Sequence, residues 1–116
     1  MNFEECLEIS RYIAAQFDAL ESKKWSIEVM LIELSKQVGD LSRVVLNHEG
    51  YYLSDRKERD GYKAEEENIA NELADIFHQL IRIADFYNIN LLDAHIKARQ
   101  SEQEYINRVS TSKPTV

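Results

Sequence analysis

Apolar side chains recur at intervals of three and four residues through most of the chain, which is the pattern of helices with one buried face. The pattern is most regular over residues 67–89, and it predicts one long helix around which the rest of the chain is organised. Its apolar stripe consists of Ile69, Leu73, Ile76, Leu80, Ile83 and Tyr87.

The two ends of the chain are also predicted to be helical. Apolar residues at helical spacing cover about residues 3–20, and a last helix covers about residues 91–109, becoming steadily more polar along its length. Residues 110–116 read as a flexible tail. We therefore expect a single domain over residues 1–109.

A further helix is predicted over about residues 26–46. Ser26 is a candidate N-cap, although Trp25 or Ser22 could equally begin the element. Gly39 lies inside this helix at a cost of about 1 kcal/mol relative to alanine, and a close helix crossing or a nearby ligand would explain it. The apolar stripe of this helix consists of Ile27, Leu31, Leu34, Val38, Leu41 and Val45.

Polar side chains run beside two of these stripes, and on the central helix they are Glu72, Asp75 and Gln79. Glu72 and Asp75 are three residues apart, so both carboxylates project from the same side of the helix, and Glu72 falls close to the apolar seam. A partly buried carboxylate is paired, hydrogen-bonded or bound to a metal, because an isolated buried charge is costly. Glu33, Gln37 and Asp40 form a second polar line, which faces the first if the two helices pack antiparallel.

Composition supports an all-α protein and argues against several classes of partner. The 116 residues include only three glycines and one proline, and the net charge is −7. That charge disfavours binding to nucleic acid or to an anionic membrane surface. No apolar run is long enough to span a bilayer, and the acidic N-terminus is unlike a secretory signal. Cys6 is the only cysteine, so we expect no internal disulfide and a cytoplasmic setting.

Two further features allow both a structural and a ligand-binding interpretation. Trp25, the only tryptophan, either packs the start of a helix against the core or stacks on a ligand ring. The irregular stretch over residues 47–63 is either a solvated loop or a flexible arm that brings positive charge to a phosphate. The basic residues of this stretch are Arg56, Lys57, Arg59 and Lys63.

The two polar lines point to metal-dependent chemistry. Carboxylates that converge between two helices repel one another unless a cation neutralises them or some become protonated. A site made only of oxygen ligands favours a hard cation such as Mg²⁺ or Mn²⁺. Such an ion can bridge protein carboxylates to phosphates and lower the pKa of a bound water. The pattern therefore suggests phosphoanhydride hydrolysis, although Glu-x-x-Asp pairs are also common on solvated helix faces.

Several short motifs occur in a characteristic order along the chain. After Trp25 come LSKQVGDL at residues 34–41, NELADIF at 71–77 and YNINL at 87–91. Over residues 25–97 this order resembles the MazG family of all-α nucleoside triphosphate pyrophosphohydrolases. The hallmark of that family is Glu-Glu-x-x-Glu on one helix and Glu-x-x-Asp on the next, with four inward carboxylates that bind Mg²⁺. Its members are helical bundles that assemble as dimers or tetramers.

The second half of this hallmark is intact as Glu72 and Asp75, and the first half departs from it. Asp40 keeps a carboxylate on a shorter arm, Gln37 supplies a neutral amide, and Lys36 replaces the remaining acid. The resemblance therefore implies that Mg²⁺, or Mn²⁺, is held by Asp40, Glu72 and Asp75. The affinity should be lower than in a member with the full hallmark.

The resemblance implies further roles for individual residues. Gln37 or Glu33 would be a poorer fourth metal ligand, and one of the three carboxylates would act as general base towards the attacking water. In the family, a lysine often follows the second motif. Lys97 is the lysine of this chain nearest to that position, and it could contact a phosphate. The basic residues at 56–63 would steady the phosphates.

These observations lead to one expected function and one alternative. We expect an antiparallel, oligomeric bundle of about four helices that cleaves a (deoxy)nucleoside triphosphate to the monophosphate and pyrophosphate with Mg²⁺. Self-association is expected because the central predicted helix is apolar on more than one side, and the resemblance implies a homodimer or homotetramer. The alternative is a MazG-like nucleotide-binding or protein-interaction module whose catalysis is weakened at Lys36 and Gln37.

Overall fold

The computed structural model describes residues 1–53, Asp55 and residues 66–112. All regular secondary structure in this part of the chain is helical. This part contains no strand, so the predicted all-α class is confirmed for it. None of its helices is long and apolar enough to cross a bilayer. The helices are α1 (Phe3–Leu20), α2 (Ile27–His48), α3 (Glu66–Phe86) and α4 (Leu91–Ser112).

Side-chain caps determine where the first two helices begin. The side chain of Asn2 accepts a hydrogen bond from the backbone N–H of Glu5 at 2.9 Å, and that of Ser26 accepts one from Val29 at 3.2 Å. Each bond satisfies a backbone N–H that has no partner within its own helix. Ser26 is therefore the observed cap among the three predicted starts of α2. Gly50 follows the end of α2 in the left-handed region, with φ of 83°.

Two asparagines form the turn between α3 and α4. Asn88 adopts the left-handed conformation with φ of 55°, and the backbone N–H of Ile89 donates to the carbonyl oxygen of Ala84 at 2.8 Å. This bond closes the end of α3. The side chain of Asn90 then accepts from the backbone N–H of Asp93 at 3.0 Å and caps α4.

The most extensive helix packing in the described structure is between α2 and α3. Buried or half-buried residues of α2 include positions 30, 34, 37, 41 and 44, and those of α3 include positions 69, 72, 76, 79 and 83. Both series advance by alternating steps of three and four residues, as a helix–helix seam requires. The seam therefore contains Gln37, Glu72 and Gln79, which the sequence pattern placed along its margin.

The two helices of this seam run in opposite directions. Trp25, immediately before α2, lies against Arg82 near the C-terminal end of α3, with the guanidinium carbon 4.8 Å from the ring centre. Further along α2, the charge of Asp40 acts on Glu72 in the first half of α3. The predicted antiparallel arrangement is therefore observed for α2 and α3.

The buried face of α3 differs from the predicted stripe. Ile81, which is 1% exposed, and Ala84 are its most buried apolar residues, and Leu7 of α1 is buried close to them. Because α1 packs on this side of α3, the buried face is rotated away from the predicted stripe. On α3, the residues of the predicted stripe that are exposed instead are Leu73, Leu80 and, just after the helix, Tyr87. On α2, they are Leu31, Val38 and Val45.

Helix α4 is exposed along almost its whole length. Leu91 is half-buried, whereas every residue from Leu92 to Thr111 is exposed, including the apolar Ile96 and Ile106. Most helix stability in proteins comes from the packing of an apolar face. The predicted bundle therefore corresponds to α1, α2 and α3 in the described structure, with α4 outside it.

Gly39 does not lie at a close crossing between the described helices, so the predicted helix crossing does not account for this glycine. A methyl group added at its Cα would meet nothing within 4 Å. Since alanine stabilises a helix interior by about 1 kcal/mol relative to glycine, we expect Gly39→Ala to raise the free energy of unfolding by about 0.5–1 kcal/mol. Chemical denaturation measures this, and a destabilised variant would show that Gly39 is close to another surface.

Candidate functional site

A cavity of about 340 Å³ lies between α2 and α3, beside the end of α1. Most of its wall is polar, which distinguishes it from a gap in an apolar core. We refer to it below as the interhelical cavity. Its lining residues are Phe17, Glu21, Trp25, Glu33, Lys36, Gln37, Asp40, Glu72, Asp75, His78, Gln79 and Arg82.

The cavity brings together the residues that the sequence suggested as metal ligands. Glu33, Gln37 and Asp40 line it from α2, and Glu72 and Asp75 line it from α3. Trp25, suggested as a substrate contact, lines it as well. Lys97 is an exposed residue of α4 and does not line this cavity. The remaining suggested contacts lie outside the described residues; these are Arg56, Lys57, Arg59 and Lys63.

The contribution of α3 follows from helical spacing. Glu72, Asp75, Gln79 and Arg82 are separated by three, four and three residues, so they share one face of the helix. The acidic pair lies towards the N-terminal end of this face and Arg82 lies towards its C-terminal end. The cavity therefore has an acidic end and a cationic end along the axis of α3.

The acidic residues interact electrostatically across the seam. Burial raises the pKa of Glu72 above its ordinary value of 4.5, and the charges of Asp40 and Asp75 raise this pKa further. Arg43 and Lys36 act in the opposite direction but do not cancel the increase. Either a proton or a cation in the cavity would relieve this repulsion.

The two acidic residues of α2 that line the cavity, Glu33 and Asp40, have cationic partners on their own helix. The guanidinium of Arg43 donates to Oδ1 of Asp40 at 3.1 Å. Oε1 of Glu33 accepts from Nζ of Lys36 at 3.4 Å and from the amide of Gln37 at 3.3 Å. These contacts partly neutralise the α2 side of the cavity, so a cation would compete with them for the carboxylates.

Two amide oxygens in the cavity wall have no hydrogen-bond partner among the described residues. They are Oε1 of Gln37 and Oε1 of Gln79, and Gln79 is only 4% exposed. Most buried polar atoms in proteins are hydrogen-bonded, and leaving one unsatisfied costs about 1–3 kcal/mol. A cation or a hydrogen-bond donor that reached either oxygen would remove this cost.

Gln79 and Arg82 are candidate functional residues that were not singled out as site residues from the sequence. Gln79 belongs to the predicted polar line of α3, and its spacing of seven residues from Glu72 was the available signal. Arg82 follows in the same register. His78 also lines the cavity, and burial lowers its pKa, as does the charge of Arg82 to a smaller extent, so its imidazole is neutral near pH 7.

The placement of the described side chains and the comparisons with known proteins both bear on whether this cavity is a metal centre. Among the described residues, no group of three His, Cys, Asp or Glu side chains is placed closely enough to hold a metal ion as it stands. Comparison with protein-family models, with curated proteins and with solved structures finds no match to the chain.

The raised pKa of Glu72 predicts how stability depends on pH. The folded protein binds this proton more tightly than the unfolded chain, so the resulting stabilisation is present below pH 4.5 and is lost as the pH rises through the raised native pKa. Glu72→Gln, which cannot ionise, should therefore melt a few degrees above wild type at about pH 8 in the presence of chelator. In a small domain, a change of about 1 kcal/mol in the free energy of unfolding shifts the melting temperature by roughly 4–8 °C.

Thermal unfolding followed by circular dichroism measures this difference at several pH values. The gain from Glu72→Gln should shrink towards pH 4.5, where the wild-type carboxyl is increasingly protonated. Glu104→Gln, at an exposed position of α4, is the control and should match wild type at every pH. A Glu72→Gln protein that is less stable than wild type at about pH 8 would contradict the account of repulsion.

Proposed function

We propose that the protein is a MazG-like, Mg²⁺-dependent pyrophosphohydrolase of nucleoside triphosphates. The observation that carries the proposal is the combination of unpartnered buried amide oxygens with three carboxylates in one cavity. The amide oxygens belong to Gln37 and Gln79, and the carboxylates belong to Asp40, Glu72 and Asp75. The motifs at residues 34–41 and 71–77 support the same function.

The donor atoms suit a hard divalent cation. Carboxylate and amide oxygens are ligands that Mg²⁺ and Mn²⁺ prefer. Asp40, Glu72 and Asp75 would hold the ion, with Gln37 and Gln79 as neutral oxygen donors and Glu33 close to them. A bound ion of this kind neutralises phosphate charge and lowers the pKa of water.

Individual residues would contribute to binding and to proton transfer. One of the three carboxylates, from Asp40, Glu72 or Asp75, would act as general base towards the attacking water. Asp40 would exchange its ion pair with Arg43 for the cation, which lowers the net affinity. Trp25, which lines the same cavity, would stack on the nucleobase.

A nucleotide-binding or protein-interaction module with little catalysis is the second candidate. It is favoured by the internal ion pairs on α2, since Lys36 and Arg43 already occupy Glu33 and Asp40. Gln37 also removes one negative charge from the family hallmark. In this case the cavity would bind a nucleotide with its metal but would not hydrolyse it at a useful rate.

Self-association is part of the proposal. Helix α4 exposes Leu92, Ile96, Ile106 and Val109, although most helices need packing for stability. The radius of gyration is 19.1 Å, whereas a compact domain of this length has about 13 Å. A second copy of the chain packed against α4 would cover these side chains, in a homodimer or homotetramer.

Pyrophosphate release tests the hydrolase directly. We expect wild-type protein to release pyrophosphate from at least one of the ribo- or deoxyribonucleoside triphosphates with Mg²⁺ or Mn²⁺, and not with chelator. Glu72→Ala and Asp75→Ala should each lower the rate by about 100-fold or more, because a base or charge-stabilising group is lost. Glu104→Ala, on exposed α4, should retain wild-type activity. Release that persists in Glu72→Ala would exclude this cavity as the active site.

Gln37→Glu separates the two candidate functions. A fourth carboxylate should raise Mg²⁺ affinity, so we expect the Mg²⁺ concentration for half-maximal activity to fall about tenfold, which corresponds to about 1.4 kcal/mol. Gln37→Met, which is similar in size and has no oxygen, should shift it in the opposite direction. If wild-type protein binds triphosphate without hydrolysis and Gln37→Glu hydrolyses it, the second candidate is correct.

A further inference from the structure

The cationic end of the interhelical cavity contains an arginine in an unusual setting. The side chain of Arg82 is only 9% exposed, and its Nη2 donates to Oδ1 of Asp18 at 3.2 Å. Its guanidinium carbon lies 4.8 Å from the ring centre of Trp25. Asp18 and Trp25 therefore hold the guanidinium at the cavity wall from two sides.

Such a guanidinium is well suited to bind an anion. The planar group carries five N–H donors, and the bond to Asp18 uses only one of them. The remaining donors can form paired hydrogen bonds with phosphate oxygens, a geometry that arginine favours. The low exposure of the side chain reduces the screening of its charge by water.

The charges in the cavity require a cation for any phosphate ligand. Five carboxylates line it, from Glu21, Glu33, Asp40, Glu72 and Asp75. Of the two cations that line it among the described residues, Lys36 is 62% exposed, so water screens its charge more than that of Arg82. The charge of Arg82, in contrast, acts on His78 within the cavity wall. Arg82 is therefore the better placed cation to offset the negative charge of a nucleotide.

We propose that Arg82 binds a phosphate group of the nucleotide, with Trp25 and Asp18 as the residues that position its guanidinium. This assignment rests on the proposed nucleotide-binding function of the cavity. The phosphate contact is then built into α3 itself.

The separation between the two ends of the cavity fits this assignment. Asp75 and Arg82 are seven residues apart, so their Cα atoms are about 10 Å apart along the helix axis. Long side chains on a helix point back towards its N-terminus, which brings the guanidinium closer to the carboxylates. A single nucleoside triphosphate can contact both groups.

Arg82 also joins α1 to α3, so its removal has a structural consequence that needs a matched control. Arg11 provides it: its guanidinium forms two 2.9 Å hydrogen bonds with Asp85 and joins the same two helices. Arg11 does not line the interhelical cavity. Arg11→Met therefore removes an ion pair between α1 and α3 without removing a cation from the cavity.

Calorimetric titration with an α,β-methylene nucleoside triphosphate and Mg²⁺ tests the proposal, because this ligand cannot be cleaved between its α and β phosphates. The Kd should rise about tenfold or more in Arg82→Met, as expected for the loss of a charge-assisted contact. Arg82→Lys, which keeps the charge, should recover part of the affinity, and Arg11→Met should bind within about twofold of wild type. Circular dichroism confirms that each variant is folded.

The possible results separate this inference from the proposed function. Arg82→Met that binds within about twofold of wild type overturns the role of Arg82 while leaving nucleotide binding in place. An equal loss in Arg82→Met and Arg11→Met also overturns it, since the effect would then be structural. Wild-type protein that binds the analogue but releases no pyrophosphate from any triphosphate refutes the hydrolase and leaves the Arg82 result valid. Wild-type protein that does not bind the analogue refutes both.

Discussion

Burial of a carboxylate beside two others, in the seam between α2 and α3, is the constraint on which the rest of the site depends. Two helices that pack closely normally bury apolar side chains along their contact, but this seam contains Gln37, Glu72 and Gln79. Burial and the nearby charges of Asp40 and Asp75 raise the pKa of Glu72, which shows that the negative charge is poorly compensated. The seam is therefore less stable than an apolar one would be, and it gains stability from whatever neutralises it.

Three kinds of compensation can be recognised in the structure. On α2, Arg43 and Lys36 pair with acids of the same helix. At the far end of the cavity, Arg82 adds a partly desolvated positive charge against Trp25. A divalent cation would be the third, and it would also satisfy the buried amide oxygens. The balance among these three explains why the same cavity is compatible with an active hydrolase and with a nucleotide-binding module.

The helices themselves could be predicted from the sequence because their signals are local. The cap at Ser26, the asparagine turn after α3 and the spacing of Glu72 and Asp75 all involve residues within a few positions of one another. The buried face of α3 could not be predicted, since it depends on where α1 packs. Gln79 and Arg82 could not be identified as site residues from the sequence because their features are tertiary. Gln79 is buried without a hydrogen-bond partner among the described residues, and Arg82 contacts Trp25, which is distant in sequence.

The central claim is that the cavity binds a divalent cation through oxygen ligands from both helices. Crystals grown with Mn²⁺ and examined by anomalous diffraction test this claim most directly, because manganese can be located without reference to activity. The account predicts an anomalous peak in the interhelical cavity, within about 2–2.5 Å of carboxylate oxygens of Glu72 and Asp75 and accompanied by Asp40. Manganese bound only at acidic residues outside the cavity, with Asp40 still paired to Arg43, would contradict it.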